Sequence, residues 1–449
     1  MEMEATMNTT RRHFLMGTSA LAATALVNPG YARYLKGNDK IRTAHIGSGG
    51  RGQGHAKYMN EHAHIVAMCD VDDANAAEIY QAIPGPPKYR DWREMLDRHG
   101  KEIDAVVIAT PDHNHAIPAL ACMQLGKHVY VEKPLTHTIQ ESRILTRASQ
   151  RYYVQTQMGN QGRSGNGVRD LYEAIWSGAI GRIREVHCQT NRPIWPQGFK
   201  EALPAQPVPE TMSWNLWIGP APTRPYNEGY APDNWRGWWD FGCGALGDMG
   251  CHIMDPAYSV LQLGAPYSVE CVEQEGNSDQ SAPNKSHIVY KFPTRTVNGE
   301  SQPAVTLHWR DGGLTTPRPE DVPEDEPIHD TLFVGEKGYM TCKTYGGEPT
   351  LLPKKEFEGY ETPPQTQERI PDEDHRGNWL NAIRTGKPAG SNFSYAGPFS
   401  EVVLLGNLAV RSSGRLYWDS EKMEVTNNKE ANELVKKEYR NGFDLDGWV

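Results

Sequence analysis

The chain has 449 residues, too long for one ordinary domain, and an apolar content of 38% that supports a substantial core. A formal charge of −10 excludes the basic face of a nucleic-acid binder and suits a protein that handles a neutral substrate. The seven cysteines are scattered, with neither a CxxC metal pattern nor a disulfide framework; Cys243 and Cys251 alone lie close enough in sequence to suggest a pair.

At the N-terminus, Arg11-Arg12-His13-Phe14-Leu15 precedes a short apolar run, and Gly30 and Ala32 are small residues suited to cleavage. This is the pattern of a twin-arginine signal, so residues 1–32 are read as an export signal and the protein as periplasmic or otherwise exported. The run is shorter than the roughly 20 apolar residues of a membrane span, and no later segment is apolar enough to cross. Because this route carries folded cargo, a bound cofactor travels with the protein.

Residues 41–46 predict a buried strand running directly into Gly47-Ser48-Gly49-Gly50-Arg51-Gly52. Alone, a GxGxxG pattern says little. Here a helix is expected over 53–61, and a second apolar strand, 64–69, ends in Asp70. Gly47 permits the tight turn, Gly49 lets backbone amides approach a pyrophosphate, and Gly52 lets the helix pack close to the sheet. Asp70 is placed to accept from the adenosine ribose hydroxyls and to repel a 2′-phosphate, which favours NAD over NADP without excluding the latter.

The alternation continues with a helix over 91–98 and an apolar strand over 103–109, whose end carries Thr110-Pro111 and His115. A helix over 118–125 closes at Gly126, and strand 128–131 leads into Glu132-Lys133-Pro134. Both loops lie beyond carboxyl ends of strands, where such sheets bind ligands. Residues 40–157 are therefore assigned to a dinucleotide-binding Rossmann domain, and 158–449 to a second, substrate-binding domain.

These motifs, with Cys69-Asp70-Val71, Gly126-Lys-His-Val129 and the later Gly247-Asp248-Met-Gly-Cys-His252, resemble the Gfo/Idh/MocA oxidoreductases over residues 41–265. The flavour of Asn191-Arg-Pro and Trp238-Trp-Asp-Phe-Gly242 resembles exported, glycoside-acting members. The resemblance implies an α/β chain whose second, α+β domain has an open, mainly antiparallel sheet used for oligomer contacts, and hence a homo-oligomer, dimer or tetramer. It also implies a catalytic group made of Lys133, Asp248 and His252.

Chemically, that group suits oxidation of a secondary alcohol. His252 is the natural base, and Asp248 four residues earlier shares its helical face, so that either the pair shares the substrate hydroxyls or the carboxylate raises the imidazole's basicity. The Lys133 ammonium stabilises the developing alkoxide. Cationic neighbours are expected to lower the Lys133 pKa. No metal site is expected. Cofactor contacts are assigned to Gly47, Ser48, Gly49, Arg51, Gly52, Asp70, Thr110, Pro111, His115, Glu132, Lys133 and Gln161.

Residues 190–242 are loop-rich and hold six of the twelve tryptophans. Aromatic faces stack on the axial C–H groups of a pyranose, so Trp195, Tyr230, Arg236 and Trp239 join Lys133, Asp248 and His252 as expected sugar contacts. Alternating segments at 286–292, 304–309, 331–334 and 339–342 predict antiparallel strands. Helices follow over 375–384 and 398–412.

The expected function is hydride transfer from a ring hydroxyl carbon of a sugar or glycoside, C3 of a glucoside being the preferred position. A redox-neutral glycoside cleavage through a 3-keto intermediate is the alternative; the related NAD-dependent hydrolases depart from the Glu-Lys-Pro motif, so Lys133 favours the dehydrogenase. A noncatalytic sugar sensor is disfavoured by the intact Lys133, Asp248 and His252.

Overall fold

The computed structural model describes residues 40–440 and 442–445, so the twin-arginine segment lies outside the described residues. Six strands build the first sheet: β1 (Arg42–Ile46), β2 (His64–Cys69), β3 (Lys88–Tyr89), β4 (Ala105–Ile108), β5 (His128–Val131) and β6 (Thr156–Met158). Their order is β3-β2-β1-β4-β5-β6 and every pairing is parallel. Buried on both faces, β4 and β5 are apolar runs rather than alternating ones. The order reverses between β1 and β4, which opens the crevice where ligands of such sheets sit.

Local chemistry sets the flanking helices. Asp91 caps Trp92–His99 by accepting from the Arg93 amide, and Gly126 leaves Ala116–Gln124 in a left-handed conformation, φ 70°. The helix Ile139–Tyr152 opens with a capping box, Thr138 and Glu141 satisfying each other's amides. The helix Arg51–His62 packs so tightly on the glycine loop that a Cβ on Gly52 would lie 1.9 Å from the Gly47 carbonyl oxygen.

The second sheet has nine strands. They are β7 (Ile183–Gln189), β8 (Ser268–Glu275), β9 (Lys285–Phe292), β12 (Val305–Arg310), β13 (Thr331–Gly335), β14 (Gly338–Cys342), β15 (Thr350–Leu352), β16 (Leu416–Asp419) and β17 (Glu424–Val425); the hairpin β10 (Arg295–Val297) and β11 (Glu300–Gln302) stands apart. The order is β15-β14-β13-β7-β12-β9-β8-β16-β17, antiparallel except for β7 with β12. Strict alternation in β9 buries Ser286, Ile288, Tyr290 and Phe292 on one face.

Two helices from the far end of the chain tie the sheets together. Phe393–Val410 packs on both Ile139–Tyr152 and β8, and Arg143 grips Glu401 through two bonds of 2.6 Å. It begins at Phe393, capped by Asn392, rather than at the expected Pro398, which lies inside it. The helix His375–Thr385 returns to the first sheet, where Trp379 and Leu380 join Ile41, Met59, Ala105 and Tyr130 in one apolar cluster. Residues beyond 158 thus also complete the dinucleotide domain.

The suggested Cys243–Cys251 pair does not form, and both thiols are free and buried. Cys243 caps the helix Gly244–Ile253 on which Cys251 lies, so eight residues, roughly 12 Å of helix, separate them. That exceeds the ~7 Å Cα limit for a disulfide.

Gly52→Ala is expected to destabilise the first domain by about 1–3 kcal/mol through overpacking, read as a lower thermal midpoint. An unchanged midpoint would show that the helix does not press on the loop.

Candidate active site

A cleft of about 360 Å³ lies at the switch point, between the glycine loop on one side and the helix Gly244–Ile253 on the other. At its first end the backbone of Gly47, Gly49 and Gly50 faces the space. A Cβ on Gly47, at φ 81°, would meet the Ala109 carbonyl at 2.7 Å, and one on Gly49 would strike Asn75. Only glycine permits this approach. The residues fit a dinucleotide.

Asp70 lines the same end but does more than await a ribose. Its Oδ2 accepts from the Ser48 and Gly49 amides at 2.9 and 2.8 Å, and Oδ1 accepts from the Asp72 amide at 3.0 Å. The carboxylate therefore braces the glycine turn. Three expected cofactor contacts prove to be supports behind the cleft. Ser48 is fully buried and donates its hydroxyl to the Cys69 carbonyl, at 3.2 Å. Gly52 serves helix packing, as its contact with Gly47 shows. His115 is buried between two loops, its ring nitrogens 2.8 Å from the Pro134 and Thr110 carbonyl oxygens, so it fixes their spacing.

Thr110, Pro111, Arg51, Glu132 and Gln161 do line the cleft. Burial opposes ionisation of Glu132, but His55 (2.7 Å) and Arg51 (3.1 Å) outweigh it and hold the carboxyl well below its usual range.

At the other end the structure brings together Lys133, from the loop after β5, and Asp248 and His252, one turn apart on Gly244–Ile253. Lys133 Nζ donates to Asp248 Oδ1 at 2.6 Å, and Arg236 Nε donates to the same oxygen at 3.3 Å. Arg192 Nε stands 4.0 Å from Oδ2. Burial favours the neutral acid, yet Lys133 and Arg236 hold Asp248 at about 2. Burial likewise opposes the Lys133 charge, but Asp248 prevails and raises its pKa. This corrects the expected depression: Lys133 is a firmly protonated donor.

Asp248 is not turned to its helical neighbour. His252 is 5% exposed, and burial, then the Lys133 charge, push it down to about 3, so the imidazole is neutral rather than poised near 7. Its Nδ1 is buried with no hydrogen-bond partner among the described residues, while its ring meets Tyr345 edge-on at 5.0 Å. An orphaned buried nitrogen costs about 1–3 kcal/mol and marks a place awaiting a partner.

The aromatic cluster divides. Tyr230 is 1% exposed, and its hydroxyl accepts from the Leu203 amide; it belongs to a satellite core with Trp238 and Phe241. Trp239 is buried and donates to the Ser278 carbonyl, away from the cleft. Trp195 donates to Gln197 and lies under the Arg236 guanidinium at 5.8 Å, positioning it instead of a sugar. The long loops need their own apolar interior, and these rings supply it. Trp217 and Trp235 remain as cleft walls.

Arg192 and Tyr345 line the cleft without having been assigned. Arg192 lay within the quoted Asn191-Arg-Pro stretch, whereas Tyr345 comes from the turn after β14 and carried no local signal. Elsewhere, cross-strand pairing of His308 with His187 groups both beside Glu185. Arg310 donates to His187 Nδ1 at 3.0 Å, which leaves the proton on Nε2, facing Glu185 Oε1 at 2.8 Å. The group reads as a hydrogen-bonded ladder.

Because His252 folds as neutral imidazole, it contributes stability above about pH 6.5 that is lost as pH falls toward 3. His252→Asn is therefore expected to lose less stability than the parent between pH 6.5 and 4. Parallel denaturation curves of the two proteins across that window would contradict the burial of His252.

Two family models match: an oxidoreductase family with NAD-binding Rossmann fold over residues 41–160, and its C-terminal alpha/beta domain over 168–297. Inositol 2-dehydrogenase of Rhodococcus erythropolis is 31% identical over 173 residues, 38% of this chain and 49% of that protein. A glycosyl hydrolase family 109 protein of Shewanella pealeana is 36% identical over 114 residues, 23% of this chain and 25% of that protein. The matched stretch thus spans about half the length of the inositol dehydrogenases. Among solved structures, the WlbA dehydrogenase from Bordetella pertussis, in complex with NADH and UDP-GlcNAcA, superposes with TM-score 0.58 at 18% identity, covering 85% of this chain and 99% of that one. The aldose-aldose oxidoreductase from Caulobacter crescentus does so with TM-score 0.55 at 17% identity, covering 84% and 100%. With a glycine cradle at one end of the cleft, Lys133 and Asp248 at the other, and both domains matched, the chain belongs to the Gfo/Idh/MocA oxidoreductase family and carries its NAD-binding Rossmann domain.

Proposed function

We propose that this protein oxidises a ring hydroxyl of a sugar or glycoside, with C3 of a glucoside as the preferred position. The observation that carries the reading is the convergence of Lys133, Asp248 and His252 at the end of the cleft opposite Asp70. NAD held by the glycine loop supplies the hydride acceptor when bound. The protein's own groups then manage the proton and the charge.

Lys133 keeps its ammonium, held by Asp248, and donates a hydrogen bond to the oxygen on which charge develops. His252, neutral and lining the cleft, takes the hydroxyl proton. Its low basicity reflects burial and the Lys133 cation, and a negative oxygen between the two offsets that cation as the proton moves. Asp248 orients Lys133 and accepts from a neighbouring hydroxyl. Trp217 and Trp235 shield the ring from water.

Redox-neutral glycoside cleavage is a second reading, supported by the likeness to glycosyl hydrolase family 109 proteins. Export through the twin-arginine route, read from residues 8–32, favours either a cofactor regenerated by a second substrate or such a closed cycle. No described helix is long and apolar enough to cross a membrane.

Purified protein is expected to release nicotinamide on denaturation, and a sample with no nucleotide absorbance would count against tight binding. Lys133→Met is expected to cut hydride transfer at least ~100-fold while NAD stays bound, since it removes the oxyanion donor; undiminished turnover would overturn the assignment. Incubation with glucosides followed by mass spectrometry separates the readings: loss of two hydrogens marks oxidation, a released aglycone marks cleavage.

A further inference from the structure

We propose that the sugar accepted by this cleft carries a carboxylate, bound by Arg192 and Arg236. The inference rests on the oxidoreductase reading and names the substrate class of that same site.

The second domain's wall gathers more positive charge than it balances. Asp248 serves Lys133 at 2.6 Å and Arg236 at 3.3 Å, and Arg192 Nε is 4.0 Å from Oδ2, beyond hydrogen-bonding reach. Three cations therefore face two carboxylates, Asp248 and the more distant Asp112, and Arg192 has the weakest match. The other acids of the cleft do not make up the difference. Asp112 is buried, accepts from the Cys243 amide and offsets part of the Lys133 and Arg236 charge; Glu132 is taken by His55 and Arg51, Asp70 by the glycine-loop amides, and Asp72 by the Ala74 amide. Asp233 is exposed at the rim and meets Arg236 only through its main-chain oxygen, at 3.4 Å.

The two guanidinium groups are also shaped for a ligand. Arg236 is stacked 4.4 Å over Trp235, with Trp195 at 5.8 Å, which fixes its plane; Nε is engaged by Asp248 and Nη1 by the Asp233 carbonyl, so Nη2 is the donor left for an in-plane partner. Arg192 is only 28% exposed, and its guanidinium donates to the neutral Asn191 side chain at 2.6 Å. Partly desolvated arginines without full compensation are costly unless an anion completes them. A carboxylate matches planar guanidinium edges in both charge and geometry. A formal charge of −10 repels anions at long range, so this preference is a local property of the cleft and differs from the neutral substrate expected from net charge.

The test titrates NAD-loaded protein with a methyl glucuronide, the matching methyl glucoside and its 6-sulfate, reading binding heat separately from reduction of bound nicotinamide. The glucuronide is expected to bind at least about tenfold more tightly than the glucoside, with the margin shrinking as salt is added. Arg192→Gln and Arg236→Gln each abolish most of the margin, and Arg236→Lys, which keeps the charge but not the planar edge, restores only part. Arg192 lies in a loop, so its variant carries the test even where Arg236→Gln does not fold. Equal binding of the neutral glucoside, or tighter binding of the sulfate, overturns the carboxylate assignment; oxidation of the glucoside in that case leaves the oxidoreductase reading standing. No reduction of nicotinamide by any of the three sugars overturns that reading, and this proposal with it.

Discussion

Lys133 and Asp248 meet at 2.6 Å across the boundary between the two domains, with side chains 15% and 13% exposed. Removing Asp248 would leave the Lys133 ammonium a largely buried charge without its hydrogen-bonded partner, a loss of about 3–5 kcal/mol in comparable buried pairs, whereas Asp248 without Lys133 keeps Arg236. The pair therefore does two things at once. It keeps the ammonium charged at this end of the cleft, and it ties the loop after β5 to the helix Gly244–Ile253. Arg236 and Arg192 are drawn to the Asp248 carboxylate, and His252, pushed down first by burial, is pushed further by the Lys133 charge.

Around it the two domains are stitched together from distant parts of the chain. Phe393–Val410 runs between the sheets, and His375–Thr385 closes the first sheet's core. Such interleaving makes the relative placement of Lys133 and Asp248 a matter of core packing rather than of a hinge, because close-packed interiors resist small displacements. The same logic explains the supports behind the nucleotide end. Asp70, Ser48 and His115 spend their hydrogen bonds on holding loops, so that backbone amides and glycine surfaces present the site.

The cleft also shows how burial changes the chemistry expected from a residue type. An isolated histidine titrates near neutrality, and an isolated lysine beside arginines would lose its proton more easily. Here desolvation drives His252 down to about 3, while a single short contact with Asp248 reverses the trend at Lys133. Residue type alone therefore anticipated the protonation state of neither His252 nor Lys133.

Much of the framework was readable in the chain itself. Glycine spacing, apolar runs ending in Asp70 or Glu132-Lys133, and the i, i+4 relation of Asp248 to His252 are local features, and local geometry decided them. The antiparallel character of the second sheet followed from its alternation in the same way. Which tryptophan lines the cleft and which only fills a satellite core was not local, because one indole pattern serves both: Trp238 is fully buried against Tyr230, whereas Trp217 belongs to that core and also walls the cleft. Nor did the sequence show that Arg192 and Arg236 would converge on Asp248, or that Tyr345 would stand against His252, since those contacts join segments far apart in the chain. Local pattern set the elements and the residue types at their ends, whereas side-chain charge, exposure and partnership arose from what the folded chain brought alongside them.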